Sequence, residues 1–114
     1  MSLQPVPIQN VPGVPDYTCT AFLPKSSDYC LLIPVINEGS RILTELGRAQ
    51  KAGVDRLVDI VICDGGSTDG SMNPDTLELY GVNTLLVKTG PGKQGAQLRM
   101  GLHFALTLGY KGVL

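Results

Sequence analysis

Apolar and polar positions follow a regular pattern from Tyr29 onward. Tyr29 to Val35 is a continuous apolar run, and Val58 to Cys63 is another, broken only by Asp59. Asn83 to Lys88 centres on Leu85, Leu86 and Val87, and Gly112-Val113-Leu114 opens a fourth run. Short apolar runs bounded by turn residues predict strands buried on both faces. Between them lie helical patterns. Ile42, Leu46, Ala49 and Gly53 fall at helical spacing, with Ser40 expected as N-cap and Gly53 as the stop. Asn73-Pro74 predicts a short helix ended by Gly81, since proline suits the first helical position. Leu98, Leu102, Ala105 and Leu108 predict the buried stripe of a third helix, closed by Gly109.

The runs begin near residues 29, 58, 84 and 112, a repeat of about 30 residues, the size of a βαβ unit. Strand and helix alternating in this way predict an α/β fold with a doubly wound, mostly parallel, Rossmann-like sheet. Residues 1–28 differ. Pro5, Pro7, Pro12, Pro15 and Pro24 remove backbone donors and no periodicity is visible, which predicts an extended Pro-rich arm or linker ahead of a domain at 29–114.

Composition narrows the functional classes. At 114 residues the chain is one domain at most. With 43% hydrophobic and 17% charged residues it can build a core, and wholesale disorder is excluded. A net charge of -1 argues against a basic nucleic-acid face, and Phe 2 with Trp 0 against an aromatic platform for single strands. No apolar stretch, Leu31 to Ile36 included, approaches the roughly 20 residues of a spanning helix. Cys19, Cys30 and Cys63 lack metal-type spacing and are expected as reduced thiols, which fits a cytoplasmic setting.

In a doubly wound sheet ligands bind beyond the carboxyl ends of the strands. The loop after the first run reads Pro34-Val35-Ile36-Asn37-Glu38-Gly39-Ser40. It carries neither the G-x-G-x-x-G of a dinucleotide site nor a P-loop, and offers an amide and a carboxylate instead. The second is Asp64-Gly65-Gly66-Ser67-Thr68-Asp69-Gly70-Ser71. Paired glycines let backbone amides approach a ligand, and Asp69 reads as a loop-ordering residue. Asp64, on the last residue of a buried strand, needs a partner. The third loop, Thr89 to Arg99, combines Gly90, Gly92 and Gly95 with Lys93 and Arg99 at a helix start, where free amides favour anions. A flexible loop with solvated charges is the plainer reading of it. His103 reads as a packing or surface residue and not as a catalytic base.

Three of these segments carry a resemblance. Leu32-Ile33-Pro34-Val35-Ile36-Asn37-Glu38 resembles the IPVYNE opening of the GT-A glycosyltransferases of family 2. Val61 to Gly70 is similar to that family's VVDDGSTDGT segment, in a DGGSTDG variant, and Gly92 to Gly101 to its GKGAALRxG segment with Gln94 as an extra residue. The resemblance implies a nucleoside diphosphate sugar (UDP- or GDP-linked) as ligand. Pro34 and Glu38 would line the nucleotide pocket, Asp64 would accept a hydrogen bond from the base, and Lys93 and Arg99 would lie near the base or diphosphate. Ile36 stands where the family has an aromatic residue, and Gly65 where it has a second aspartate.

In the resembled family the fourth strand leads into an Asp-x-Asp that holds Mg2+ or Mn2+. No Asp-x-Asp occurs in these 114 residues. The expectation is therefore the nucleotide-binding half of a larger transferase, with no cofactor site or catalytic residue of its own and no sugar transfer by residues 1–114 alone. Polyprenyl phosphate is the acceptor that DGGSTDG together with the Leu-Arg of the third motif suggests. A nucleotidyltransferase of related fold and a non-catalytic nucleotide-binding or assembly module are the alternatives. In the family's sheet order the fourth strand pairs with Tyr29 to Val35. With only its first residues present, that edge would be left bare, so a dimer or larger species, or the Pro-rich arm covering the edge, is expected.

Overall fold

The structure, a computed structural model, describes residues 4–91 and 94–114. The elements are β1 (Val6–Ile8), β2 (Tyr17–Ala21), β3 (Tyr29–Val35), α1 (Arg41–Lys51), α2 (Val54–Leu57), β4 (Asp59–Asp64), α3 (Pro74–Leu79), β5 (Thr84–Lys88), α4 (Gln94–Thr107) and β6 (Gly112–Val113). They form an α/β structure around one six-stranded sheet of order β1-β2-β5-β4-β3-β6. Strands β5, β4, β3 and β6 are mutually parallel, and β1 and β2 join antiparallel.

Every residue of β4 is buried, because the strand has neighbours on both sides and helices on both faces. Successive side chains point to opposite faces. Val61 and Cys63 therefore pack with Leu32, Leu86, Met100 and Phe104 beneath α4, while Ile60 and Ile62 pack with Ile42, Leu46, Leu77 and Leu85 beneath α1 and α3. Burial pushes the Cys63 thiol up to about 12, and a neutral thiol there behaves as one more small apolar group.

The helix ends follow the local chemistry. Gly53 and Gly109 turn through left-handed backbone just past α1 and α4. Asn73 caps α3 by accepting from the amides of Asp75 (3.0 Å) and Thr76 (3.3 Å). Ser40 occupies the cap position of α1, but its hydroxyl makes no cap bond.

Three expectations are corrected. The Pro-rich segment is part of the sheet: Tyr17 to Ala21 pair residue for residue with Lys88 to Thr84, and Val6 to Ile8 add an outer strand. Prolines are compatible with that outer position, where a missing donor faces no partner. Second, this segment covers β5 and not β3. On the β3 side only Tyr29 to Leu32 are engaged, through Gly112, Val113 and Leu114. Leu32 donates to the Leu114 carbonyl (3.2 Å), so by alternation the donorless nitrogen of Pro34 faces the same side, beyond Leu114. Third, the buried face of α4 is built from Ala96, Met100, Phe104 and Ala105, whereas Leu98, Leu102 and Leu108 are exposed. A helix apolar nearly all round has no period from which to choose its inner face.

At Gly101 α4 packs closely on the sheet. A Cβ there would stand 2.7 Å from Cys63 Sγ and 3.1 Å from a Leu32 methyl. Gly101→Ala is expected to lower stability by about 2 kcal/mol through overpacking, measured by urea denaturation. An unchanged midpoint would show that α4 can lift away from the sheet at no cost.

Candidate functional site

The carboxyl ends of β3, β4 and β5 lie along one edge of the sheet, so the loops that follow them converge. Asn37 turns the chain after β3 with φ +46°, a conformation that asparagine tolerates better than most residues. Its amide donates to Ser67 Oγ (2.9 Å), and its Oδ1 accepts from the Thr68 amide (2.8 Å). The Gly39 amide donates to Asp69 Oδ2 (3.0 Å). These bonds zip residues 37–39 to residues 67–69.

Asp64 is 2% exposed. Its carboxylate accepts from the Ser67 amide (3.0 and 3.2 Å) and from Ser67 Oγ (2.6 Å), which supplies the partner that its burial requires and orders the glycine-rich turn. Asp69 plays the parallel role one step outward. The Ser71 hydroxyl (2.5 Å) and amide (3.0 Å), together with the Gly39 amide, hold its carboxyl below the usual carboxylate range.

Gln97, 4% exposed, joins α4 to this edge. Its side-chain amide donates to the Val35 carbonyl (2.8 Å) and the Cys63 carbonyl (2.9 Å), the ends of two adjacent strands. The Gly65 amide also reaches Val35 O (2.9 Å). A Cβ on Gly65 would lie 3.0 Å from the Gln97 amide carbon, so a side chain there would press on that bridge. This is a physical reason for glycine at the position where the resembled family has its second aspartate.

The expected site residues are distributed as follows. Pro34 stands in β3 opposite Cys63. Glu38 is partly exposed and forms an ion pair with Arg41. Asp64 sits under the turn it orders. Arg99 donates from Nε to the Gly13 carbonyl (3.0 Å), tying α4 to the N-terminal segment, and the amides of Thr89 and Gly90 bond to Asp16 O in the same region (2.9 and 3.0 Å). Lys93 lies outside the described residues. The structure thus brings Asp64, Glu38 and their loops together, while Arg99 is engaged by the N-terminal hairpin.

A cleft of about 250 Å³ opens beside the zipped loops, between the starts of α1 and α3, lined by residues that include Gly39, Ser40, Asp69, Ser71 and Thr76. Pro34, Glu38 and Asp64 are not among its lining residues. Among the described residues no three His, Cys, Asp or Glu side chains come together as a metal-holding group. Asp64 and Asp69 each order their own turn, through Ser67 and through Ser71 with Gly39, and do not gather with other carboxylates into the ligand set that the divalent ion implied by the resemblance needs.

Two further residues matter to this edge and carry little signal in the sequence. Gln97 has one, a polar residue four before Gly101 on a face that is otherwise small and apolar. Ser67 has none beyond its turn-forming type. His103 is a packing residue as expected, with Nδ1 at 2.7 Å from the Tyr17 hydroxyl. No helix of the described residues is long and apolar enough to cross a membrane. Compared with known proteins, the chain matches no family model, no curated protein and no solved structure.

Proposed function

We propose that residues 29–114 form the nucleotide-binding half of a GT-A glycosyltransferase of the family 2 kind, taking a nucleoside diphosphate sugar at the carboxyl edge of β3, β4 and β5. The observation that supports this reading is the order β5-β4-β3-β6. The first, second and third parallel strands run outward from the centre and the fourth returns beside the first, so the motif loops line the edge next to the point where the order reverses. In this reading Asp64 accepts from the base, Glu38 faces the ribose and Pro34 shapes the pocket wall. Arg99 and Lys93 attract the diphosphate, helped by free amides at the start of α4. The turn over Asp64 must open to expose its carboxylate, and Glu38 and Arg99 must exchange their present partners, Arg41 and Gly13, for ligand. Both contacts are exposed, and such contacts are worth little.

The reading for the 114-residue chain is binding, with sugar transfer belonging to a fuller domain in a reduced, cytoplasmic setting. The carboxylates at this edge are not gathered to hold a metal among the described residues. A nucleotide-binding module without chemistry of its own is the second reading, favoured by the way Asp64, Glu38 and Arg99 are all engaged within the protein.

Calorimetry with UDP and GDP tests the proposal. Wild type is expected to bind one of them weakly without added metal, and Asp64→Ala to lose about tenfold in affinity, the worth of one hydrogen bond to a charged group. Ser67→Ala, which keeps the carboxylate, separates a direct contact from loop ordering: affinity near wild type assigns the contact to Asp64. Equal affinity of Asp64→Ala and wild type removes Asp64 from the site, and no binding of either nucleotide by wild type overturns the reading.

A further inference from the structure

The segment between β1 and β2 lies across the loop that follows β5. The Asp16 carbonyl accepts from the amides of Thr89 (2.9 Å) and Gly90 (3.0 Å), and the Gly13 carbonyl accepts from Arg99 Nε (3.0 Å). The approach leaves no room for a side chain: a Cβ on Gly90 would stand 2.9 Å from the Asp16 nitrogen. Lys88, half-buried at the end of β5, donates from Nζ to the Gly90 carbonyl (2.7 Å). Among the described residues neither Lys88 nor Arg99 meets a carboxylate in an ion pair. Two cations and two amides at one corner are therefore held by neutral carbonyls, where a partly buried cation ordinarily finds an anion.

The covering segment is lightly held. Residues 9–16 are exposed or half-buried, and Val14 packs against the core beneath α4. Asn10 (φ +63°) and Gly13 (φ +76°) turn the segment through left-handed backbone, and the Asn10 amide donates to Asp16 Oδ1 (3.2 Å) within it. Few buried apolar contacts and exposed hydrogen bonds mark a part of a fold that opens before the rest does. Strand β2 behind it is anchored separately, by its pairing with β5 and by Tyr17 in the core.

We propose that residues 9–16 are an autoinhibitory strap over a diphosphate-binding corner made by Lys88, Arg99 and the amides of Thr89 and Gly90. When the strap opens, phosphate oxygens replace the carbonyls of Gly13 and Asp16 and draw Lys88 from that of Gly90. Phosphate offers Arg99 a bidentate, charged partner in place of a single carbonyl. Asp16 is the one charged residue of the strap, and its negative charge adds repulsion toward an incoming anion. While the strap is closed the corner is unavailable, so the apparent affinity falls with the fraction of molecules in which it is open. The identity of the ligand rests on the nucleotide reading, to which this inference adds Lys88 and a closed state.

Calorimetry of the full chain with inorganic pyrophosphate tests this, because pyrophosphate has no base and does not need the turn over Asp64 to open. Gly13→Ala puts its Cβ into open space but strains the left-handed backbone of the closed strap, and should tighten binding about fivefold. Val14→Ser, which loosens the apolar anchor, should act in the same direction. Gly109→Ala carries the same strain (φ +78°) in the same open space past the far end of α4, and should bind like wild type. Lys88→Met keeps the stem without the charge and should bind about tenfold more weakly. In hydrogen exchange both strap variants should lose protection at Thr89 and Gly90 while Leu86 keeps it. Circular dichroism confirms that each variant is folded. Equal affinity of wild type and both strap variants, full affinity in Lys88→Met, or no pyrophosphate binding by any of them overturns the strap and leaves the nucleotide reading to the UDP and GDP titrations. Tighter pyrophosphate binding by the strap variants, with no UDP or GDP bound by wild type, upholds the strap and overturns the nucleotide reading.

Discussion

Replacing Asp59 by alanine is expected to cost about 3 kcal/mol of stability, more than a substitution at Gly101 or Gln97. Asp59 is 1% exposed at the start of β4. Its carboxylate accepts from the Ser26 amide (2.9 Å), Ser26 Oγ (2.7 Å), the Ser27 amide (3.3 Å) and the Tyr110 hydroxyl (2.7 Å). The truncation leaves all four donors without their acceptor and frees the segment before β3 from the corner between α4 and β6. Urea denaturation of wild type and Asp59→Ala measures the loss, and a difference below about 1 kcal/mol would show that water replaces the carboxylate freely. The same site sets an acid limb. Burial pushes the Asp59 carboxyl up, but the Tyr110, Ser26 and Ser27 bonds together outweigh it and hold the group below the usual carboxylate range. A depressed folded pKa contributes stability that is present above the unfolded pKa and lost as pH falls through the folded one. Wild type should therefore lose stability below about pH 4, and Asp59→Asn should lose less over that window.

Gln97→Met is expected to cost about 2 kcal/mol, because it keeps the volume and removes two buried hydrogen bonds to the ends of β3 and β4. Gln97→Glu should be worse. An ionised carboxylate has no donor to offer the Val35 and Cys63 carbonyls and would be buried against them. The order wild type, Gln97→Met, Gln97→Glu in urea midpoint is the expected result, and a Glu variant as stable as Met would mean that the bridge is dispensable. Because this bridge ties α4 to the edge that carries the Asn37 and Ser67 zip, the Met variant should also weaken protection of the residue 65–70 amides in hydrogen exchange.

Much of this arrangement is legible in the chain itself. Continuous apolar runs mark strands that face helices on both sides, and β3, β4 and β5 fall where Leu32, Val61 and Leu86 predict them. Asn73-Pro74 and Gly109 are local signals acting through local backbone chemistry, and both helix boundaries follow them. The loops that bear Asn37, Asp64 and Asp69 can likewise be placed at the carboxyl edge, since a repeat of strand and helix dictates it.

The inner face of α4, the strand pairing of residues 6–21 and the partner of each site side chain were decided by tertiary structure. Leu98, Leu102 and Leu106 are as apolar as Met100 and Phe104, so only the close approach at Gly101 settles which side meets the sheet. Tyr17 to Ala21 become a strand because β5 presents an unpaired edge, a condition supplied by residues more than sixty positions away. Asp64 and Arg99 are alike in sequence signal, each a charged residue in a glycine-rich motif. One finds Ser67 three residues on, and the other finds Gly13 eighty-six residues back. By itself the sequence determined what depends on neighbours along the chain: period, caps, turns and the order of strands and helices. Which residues meet across the fold depends on contacts whose loop-closure entropy is repaid only when the whole sheet forms, and no local pattern encodes that.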